Sequence, residues 1–399
     1  MIDFDAALSL VRARCRALPM ETISLPEAAG RILAAGLLAR RDQPGTDISM
    51  MDGYALRAAE AKNDLAVVGE LAAGDAPWSR ELGAGEAARI FTGAPLPPGA
   101  DCVVMQERCD RDGARLRIQL EVEPRVGQHI RRRGEELRQG KEALPAGASL
   151  GPAELSLAAA CGFAAASVHR RPRIALLATG DELVPLGSEP GPGKLVETNS
   201  LALAALAREA GAEPLLLGIE GDDPARIAAR LRSADADVLV TTGGASVGDH
   251  DHAQAALELL GGQLVFHRVA IRPGKPILFG CSDHRLLFGL PGNPAAASLG
   301  FELFVRLALR MLAGDPRPER PAARAVLRGS IARVRGQTFF PRGRASLEGA
   351  TLTFAPGGQQ SSMQIASWSA VNAVAVIPPG EGHLENGAEI DLLLTGPLY

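Results

Sequence analysis

Three segments of this chain gather acids, glycines or free backbone amides immediately after an apolar run: Thr179-Gly-Asp-Glu182, Gly243-Gly244-Ala-Ser246-Val-Gly248 and Pro291-Gly-Asn-Pro294. Glycines between a buried strand and a helix let N–H groups approach an anion, and a helix N-terminus adds about half a positive charge. The glycine segment is neither a Walker A loop nor a dinucleotide fingerprint. It reads either as a phosphate cradle or as a plain strand-to-helix turn. Asp249-His-Asp251-His252 suggests a metal cluster, but neighbouring residues rarely point at one ion, so a single useful aspartate is the better expectation. Together with Glu182 and Asp222, such a carboxylate suits Mg²⁺ held through oxygen and water, as in metal-bridged phosphate esters.

Cations form a second group. Arg268, Arg272 and Lys275 fall within eight residues, and Pro273-Gly274 keeps them out of a helix. A turn that aims Arg272 and Lys275 at one point suits an oxyanion larger than a carboxylate, with a solvated basic turn as the alternative. Pro291-Gly-Asn-Pro294 adds unpaired N–H groups at a helix start. No Ser-His-Asp or Cys-His constellation and no G-x-S-x-G elbow is present.

The elements that must position these residues are legible in the pattern. Apolar residues at helical spacing predict an opening helix over 3–18, and Pro26-Glu27-Ala28-Ala29 predicts a short second one. Residues 40–150 carry short β-type runs between Gly/Pro turns, among them 66–68, 88–91, 102–105 and the alternating 115–122. Residues 153–166 read as helix. From 173 to 313 strands (174–178, 215–219, 238–242, 286–290) alternate with helices (200–210, 224–233, and one from Pro294 to Met311), which predicts a parallel sheet covered on both faces. Such sheets bind ligands beyond the carboxyl ends of their strands, where the acidic and glycine-rich segments lie. A Pro-rich linker at 314–321 precedes short strands near 325–327, 373–377 and 390–394, a small all-β domain.

The chain has 399 residues, enough for two to three domains at about 150 residues each. Apolar residues make up 46% and charged residues 22%, an ordinary globular balance, while 45 Gly and 28 Pro imply many turns. A net charge of −4 gives no broad field for nucleic acid or an anionic membrane. Five scattered cysteines without a C-x-x-C pair argue against a disulfide framework and a Cys-rich zinc site. The acidic N-terminus is unlike a signal peptide and no apolar run reaches about 18 residues, so a cytoplasmic protein is expected.

Seven collinear segments resemble the molybdopterin molybdenumtransferase family (MoeA and the E domain of gephyrin). They are 49–55 (Ser-Met-Met-Asp-Gly-Tyr-Ala), 92–107 (Thr-Gly-Ala-Pro-Leu-Pro-Pro-Gly and onward), 131–136, 179–183, 241–248, 272–276 and 290–294. The resemblance covers nearly the whole chain. It implies a multidomain α/β plus β fold: an N-terminal helical region at 1–170 with a β-rich module inserted at about 45–145, a molybdopterin-binding α/β domain with a parallel sheet at 171–315, and a small β-barrel-like domain at 322–399. It also implies an elongated homodimer in which the N-terminal region of one subunit completes the cleft of the other.

The implied reaction is Mg²⁺-dependent hydrolysis of adenylylated molybdopterin with insertion of molybdate at the dithiolene. Transient contacts with the preceding adenylyltransferase and with molybdoenzyme acceptors would accompany it. Carried over residue by residue, Asp52, Thr92 and Glu136 are the N-terminal contributions, and Glu182, Asp222 and Asp251 organise Mg²⁺, water and pterin. Arg268, Arg272 and Lys275 receive the oxyanion, Pro291 and Pro294 shape the adjoining loop, and Arg342 and Ser362 match oxyanion-binding positions of the C-terminal domain. The chain departs from the family in having Arg at 268 and 272 where Lys is common, Glu136 for Asp, and Ala296 for Ser. Two other readings are an adenylyltransferase of the preceding step and a gephyrin-like scaffold. The N-terminal arm and β tail argue against the first, the intact acids against the second.

Overall fold

The computed structural model describes residues 1–119, 123–244, 252–282 and 284–398. The chain forms two compact units, one of residues 1–21, 30–34 and 168–399, the other of residues 22–29 and 35–167.

The larger unit is built on a six-stranded sheet in the order Glu213–Glu220, Arg173–Thr179, Val238–Thr242, Arg285–Leu290, Leu278–Ser282, Gln263–His267. Its strands are apolar at successive positions because both faces are covered. Ile174, Leu176, Val238, Val240 and Phe288 enter one core cluster, while Ala175, Leu177, Leu239 and Leu287 enter the other. The first four strands are parallel, as the alternating pattern predicts. Leu278–Ser282 runs antiparallel to both of its neighbours, Arg285–Leu290 and Gln263–His267, which the pattern did not reveal. Only two residues join Ser282 to Arg285, too few for a parallel crossover.

Helices Asn199–Glu209 and Pro224–Arg232 lie close to their expected places, and His252–Leu259 is the helix, given no range in the sequence, that follows the glycine segment. The expected helix from Pro294 to Met311 is three pieces in sequence: Pro294–Gly300, a π-helical turn at Phe301–Val305, and Arg306–Leu312. The opening helix, Phe4–Arg14, is capped by Asp3, whose side chain accepts from Ala6 N–H at 2.8 Å. It packs in this same unit, its Ala7 and Val11 sharing the core of Phe301 and Leu309.

Beyond the linker, Ala322–Leu327, Thr351–Pro356, Arg342–Glu348, Ala373–Val376 and Glu389–Leu394 close into a barrel filled by Leu327, Phe354, Ala345 and Leu392. Two of its strands, Arg342–Glu348 and Thr351–Pro356, carried no clear signal in the sequence. The Pro-rich linker is held by ion pairs: Arg310 donates to Asp315 at 2.6 Å, and Arg320 donates to the nearly buried Glu302 at 2.9 and 3.0 Å.

The smaller unit centres on a second six-stranded sheet, ordered Cys102–Met105, Gly53–Leu56, Glu86–Ile90, Leu65–Leu71, Arg115–Ile118, Cys109–Asp112. Alternate residues again serve two cores, Tyr54, Leu56 and Val104 on one side and Ala55, Val103 and Ile90 on the other. The expected strand at 115–122 ends at Ile118 among the described residues; 120–122 lie outside them. Two helices differ from expectation. Leu25–Glu27 is a single 3₁₀ turn, since Gly30 at positive φ follows too soon for a helix to nucleate. The helix expected over 153–166 spans Pro152–Ala160, stops before Gly162 at φ 96°, and gives way to the strand Ala165–His169.

The stacked pair Phe279–Phe288, with centroids 4.7 Å apart and both rings fully buried, anchors the larger sheet to its helices. Phe288→Ala should lower stability by about 3–5 kcal/mol, read as a lower urea midpoint at unchanged slope. Leu216→Ala, on an exposed edge strand at 51% exposure, should shift it by less than about 0.5 kcal/mol.

Candidate functional site

The parallel register brings the carboxyl ends of the larger unit's strands level: Thr179 pairs with Glu220, Ala178 with Thr242, and Thr242 with Leu290. A cavity of about 750 Å³ opens there, lined by Thr179, Glu182, Asp222, Thr242, Gly243, Gly244, His252, Pro291 and Pro294 among others. This is where parallel sheets bind ligands, because the helices that cover both faces leave only the strand ends open.

Its floor depends on close backbone approach. Gly243 has φ 92°, and a Cβ there would lie 2.1 Å from the Thr179 carbonyl oxygen, so no other residue fits without parting two strands. Thr179 Oγ donates to the Thr242 carbonyl at 3.3 Å and ties the same strand ends.

Glu182 and Asp222 are exposed to this cavity. Among the described residues neither carboxylate has a hydrogen-bond or ion-pair partner, whereas neighbouring Asp223 caps its helix and Glu220 pairs with Arg226 at 2.7 Å. The Glu182 carboxylate folds back over Gly180, where a Cβ would meet it at 2.6 Å. Two carboxylates, both hard oxygen donors, exposed to one cavity fit a hydrated divalent cation such as Mg²⁺. No group of three or more His, Cys, Asp or Glu is gathered for a metal among the described residues. Ser246, Gly248 and Asp251, with Asp249 and His250, lie outside the described residues.

A second cavity of about 850 Å³ adjoins the first, and the two share Pro276, Pro291 and Asn293. Arg272 and Lys275 line it together, as the Pro-Gly turn implied. Arg272 lies in a two-residue parallel pairing of Ile271–Arg272 with Thr338–Phe339, and its guanidinium sits 5.8 Å from the centre of the Phe339 ring. Arg268 does not line this cavity. Its Nε is buried without a partner, and its backbone sits at φ 71°.

The far wall comes from the barrel, through Gln359, Gln360, Ser361 and Ser362. Asn293 Nδ2 donates to Ser362 Oγ at 3.1 Å, and Ala295 N–H donates to the Ser362 carbonyl at 3.1 Å. Arg342 stands one layer behind this wall. It is wholly buried, donates from Nη2 to the Ser361 carbonyl at 3.2 Å, and leaves Nε and Nη1 without partners. Burial holds its pKa below the ordinary arginine value. An arginine with two orphaned nitrogens keeps a strong demand for an anion close by. Gln360 locks the layer, accepting from Arg342 N–H and donating to the Arg342 carbonyl, both at 2.9 Å.

In the smaller unit Asp52 and Thr92 meet: one Asp52 oxygen accepts from Thr92 N–H and from its hydroxyl, both at 2.8 Å. These bonds, the backbone one foremost, with the Arg89 charge beside them, hold Asp52 below the usual carboxylate range. Glu136 accepts from Arg131 at 2.6 Å. Arg131 is itself paired across to Ile48, on the short strand Ile48–Ser49 that precedes Asp52.

Sequence reasoning missed Asn293, Phe339, the glutamines of the barrel wall, Met363 and Ile365. Asn293 sits inside the Pro291-Gly-Asn-Pro294 segment but the segment reading assigns its side chain no role, and the others sit in no spaced pattern and are brought here by the barrel.

Three family models match the chain: MoeA N-terminal region (domain I and II) over 2–162, probable molybdopterin binding domain over 175–311, and MoeA C-terminal region (domain IV) over 324–395. A Nostoc sp. protein named molybdopterin molybdenumtransferase is 36% identical over 392 residues, spanning 95% of this chain and 89% of its own. One of the same name from Bacillus subtilis is 34% identical over 385 residues, spanning 94% and 89%. The crystal structure of the molybdopterin biosynthesis MoeA protein from Pyrococcus horikoshii superposes with a TM-score of 0.83 at 29% identity, covering all of both chains. With its three family segments in order and its length matched throughout, the chain belongs to the molybdopterin molybdenumtransferase (MoeA) family of transferases.

Proposed function

We propose that this protein inserts molybdate at the dithiolene of adenylylated molybdopterin and releases AMP, with Mg²⁺ as the resident cation. The observation that carries this reading is the pair of adjoining cavities, one presenting Glu182 and Asp222, the other Arg272 and Lys275. A doubly charged tetrahedral oxyanion and an anionic phosphoanhydride repel each other. Two like unit charges 4 Å apart cost about 4 kcal/mol at an effective dielectric near 20. A site that joins them needs separate, oppositely furnished compartments with a common wall, and Pro291 and Asn293 stand in that wall.

Each residue then has a task. Gly243 and Gly244, with Ser246 and Gly248 of the same segment, cradle the phosphoanhydride. Glu182, Asp222 and Asp251 hold Mg²⁺ with its remaining waters. Bound there, the ion offsets charge on the anhydride oxygens and lowers the pKa of a water. Arg272 and Lys275 hold the oxyanion against the Ser362 wall, Pro291 and Pro294 shape the partition, and Arg342 supplies positive charge from behind. Arg268 acts at longer range, because it does not reach the cavity lining. Asp52, Thr92 and Glu136 act from the partner subunit of a homodimer. The sulfurs of the product come from the pterin, consistent with five scattered cysteines.

The direct test is incubation with adenylylated molybdopterin, Mg²⁺ and molybdate, measuring AMP release; a chelator should stop it. Glu182→Gln and Asp222→Asn should each slow AMP release by at least about tenfold, more than about 1.4 kcal/mol, at unchanged thermal midpoint. Rates within threefold of wild type would remove them from the cation site.

Each charge-assisted hydrogen bond lost costs about 1.5–3 kcal/mol. Lys275→Ala should therefore raise the molybdate concentration for half-maximal insertion by about ten- to a hundredfold. Added tungstate should compete, and high salt should weaken both anions. A half-saturation unchanged in both Lys275→Ala and Arg272→Ala would move the oxyanion to Arg342 and Ser362. Finally, sedimentation at micromolar concentration should show a dimer. A lone 41.6 kDa species would sink the shared cleft.

A further inference from the structure

The carboxylate cavity has one wall that its acids and glycines do not account for. Met363 and Ile365, on the barrel segment between the strands Thr351–Pro356 and Ala373–Val376, line it while remaining 71% and 56% exposed. Exposed apolar side chains are common singly, but these two, two residues apart, line the same cavity.

They are also held there. The segment is pinned to the start of the helix Pro294–Gly300 by the Asn293–Ser362 and Ala295–Ser362 bonds and by Trp368, whose Nε1 donates to the Ala295 carbonyl at 3.2 Å. From behind, Arg342 grips the Ser361 carbonyl. A loop fixed by four bonds from two sides presents its thioether and its branched alkyl group to the cavity, each more than half exposed.

We propose that Met363 and Ile365 form an apolar platform on which a planar heteroaromatic ring of the substrate lies, making them specificity-determining residues for the reaction. A flat ring is the occupant that fits. It offers one broad face of the size of two side chains, and a sulfur over an aromatic ring is a favoured contact. The polar remainder of the substrate then reaches Glu182 and Asp222 within the same 750 Å³. This rests on the proposed reading in that the adenylylated substrate carries two such rings, pterin and adenine, and the experiment distinguishes them.

Equilibrium dialysis of the full-length protein with AMP, and separately with an oxidised pterin phosphate lacking the dithiolene, measures binding of each ring. The ring that lies on the platform should bind about tenfold more weakly to Met363→Ala/Ile365→Ala than to the wild type, and the other ring should bind equally to both. Met363→Leu, which keeps apolar bulk, should restore binding to within about twofold. Thermal midpoints should match, since both side chains are already exposed. In a Trp78→Phe background Trp368 is the remaining tryptophan of the chain's two, and its fluorescence should respond to the platform's ring alone. Loss of response to both rings on dialysis, or affinities within twofold between wild type and double variant for both, overturns the platform. Ring binding that depends on the loop without any AMP release from adenylylated molybdopterin overturns the function instead. AMP release with loop-independent binding overturns only the platform.

Discussion

A sheet buried on both faces has nowhere to do chemistry except at its ends. The inner strands of the larger sheet spend their alternate side chains on one core or the other, Ile174 and Leu176 against Ala175 and Leu177, so few are left to meet a ligand. The parallel register then aligns four carboxyl ends, and the residues following Thr179, Glu220, Thr242 and Leu290 are released from packing at the same level. Everything polar in the carboxylate cavity is a consequence of that constraint. Gly243 shows how tight it is, because the backbone of one strand end leaves no room for a methyl group on the next.

The cationic cavity obeys a different rule. Arg272 and Lys275 are exposed and belong to a short turn, which would leave them as solvated charges of little energetic weight. Neighbouring structure raises their importance. The barrel strand at Phe339 pairs with Arg272 and places an aromatic face beneath its guanidinium, while the Ser361–Ser362 wall closes the far side. Behind it Arg342 is buried with two unpaired nitrogens, an arrangement that costs stability. No helix among the described residues is long and apolar enough to cross a membrane.

What the sequence made legible follows from locality. Strand runs, helix faces and the Pro-Gly turn are local, and so the α/β alternation, the strand-end placement of Glu182 and Asp222, and the pairing of Arg272 with Lys275 could be read directly. The antiparallel pairing at the sheet edge escaped notice because strand direction is set by connection length rather than by apolar pattern, and the turn joining Ser282 to Arg285 is only two residues long. The strands Arg342–Glu348 and Thr351–Pro356 were hidden for another reason: in a closed barrel their inward residues, Ala345 and Phe354, are sparse and uneven in size. Helix expectations failed where glycine follows closely, at Gly30 and Gly162, since a pattern of apolar residues does not record where the backbone must turn.

The barrel illustrates the limit most sharply. By composition it is a terminal all-β appendage after a Pro-rich linker. In the fold, Arg320 and Glu302 fix that linker in place, the Ile271–Arg272 pairing extends from one domain to the other, and Asn293 reaches across to Ser362. The last two contacts join residues more than sixty positions apart in the chain, so no spacing rule detects them. They turn the barrel into one wall of both cavities, polar where it meets the cations and apolar where Met363 and Ile365 meet the carboxylates. A single loop thus presents opposite chemistry to two neighbouring compartments. Its position, set by bonds to Asn293 and Ala295 at the helix start, is what allows one segment to serve both.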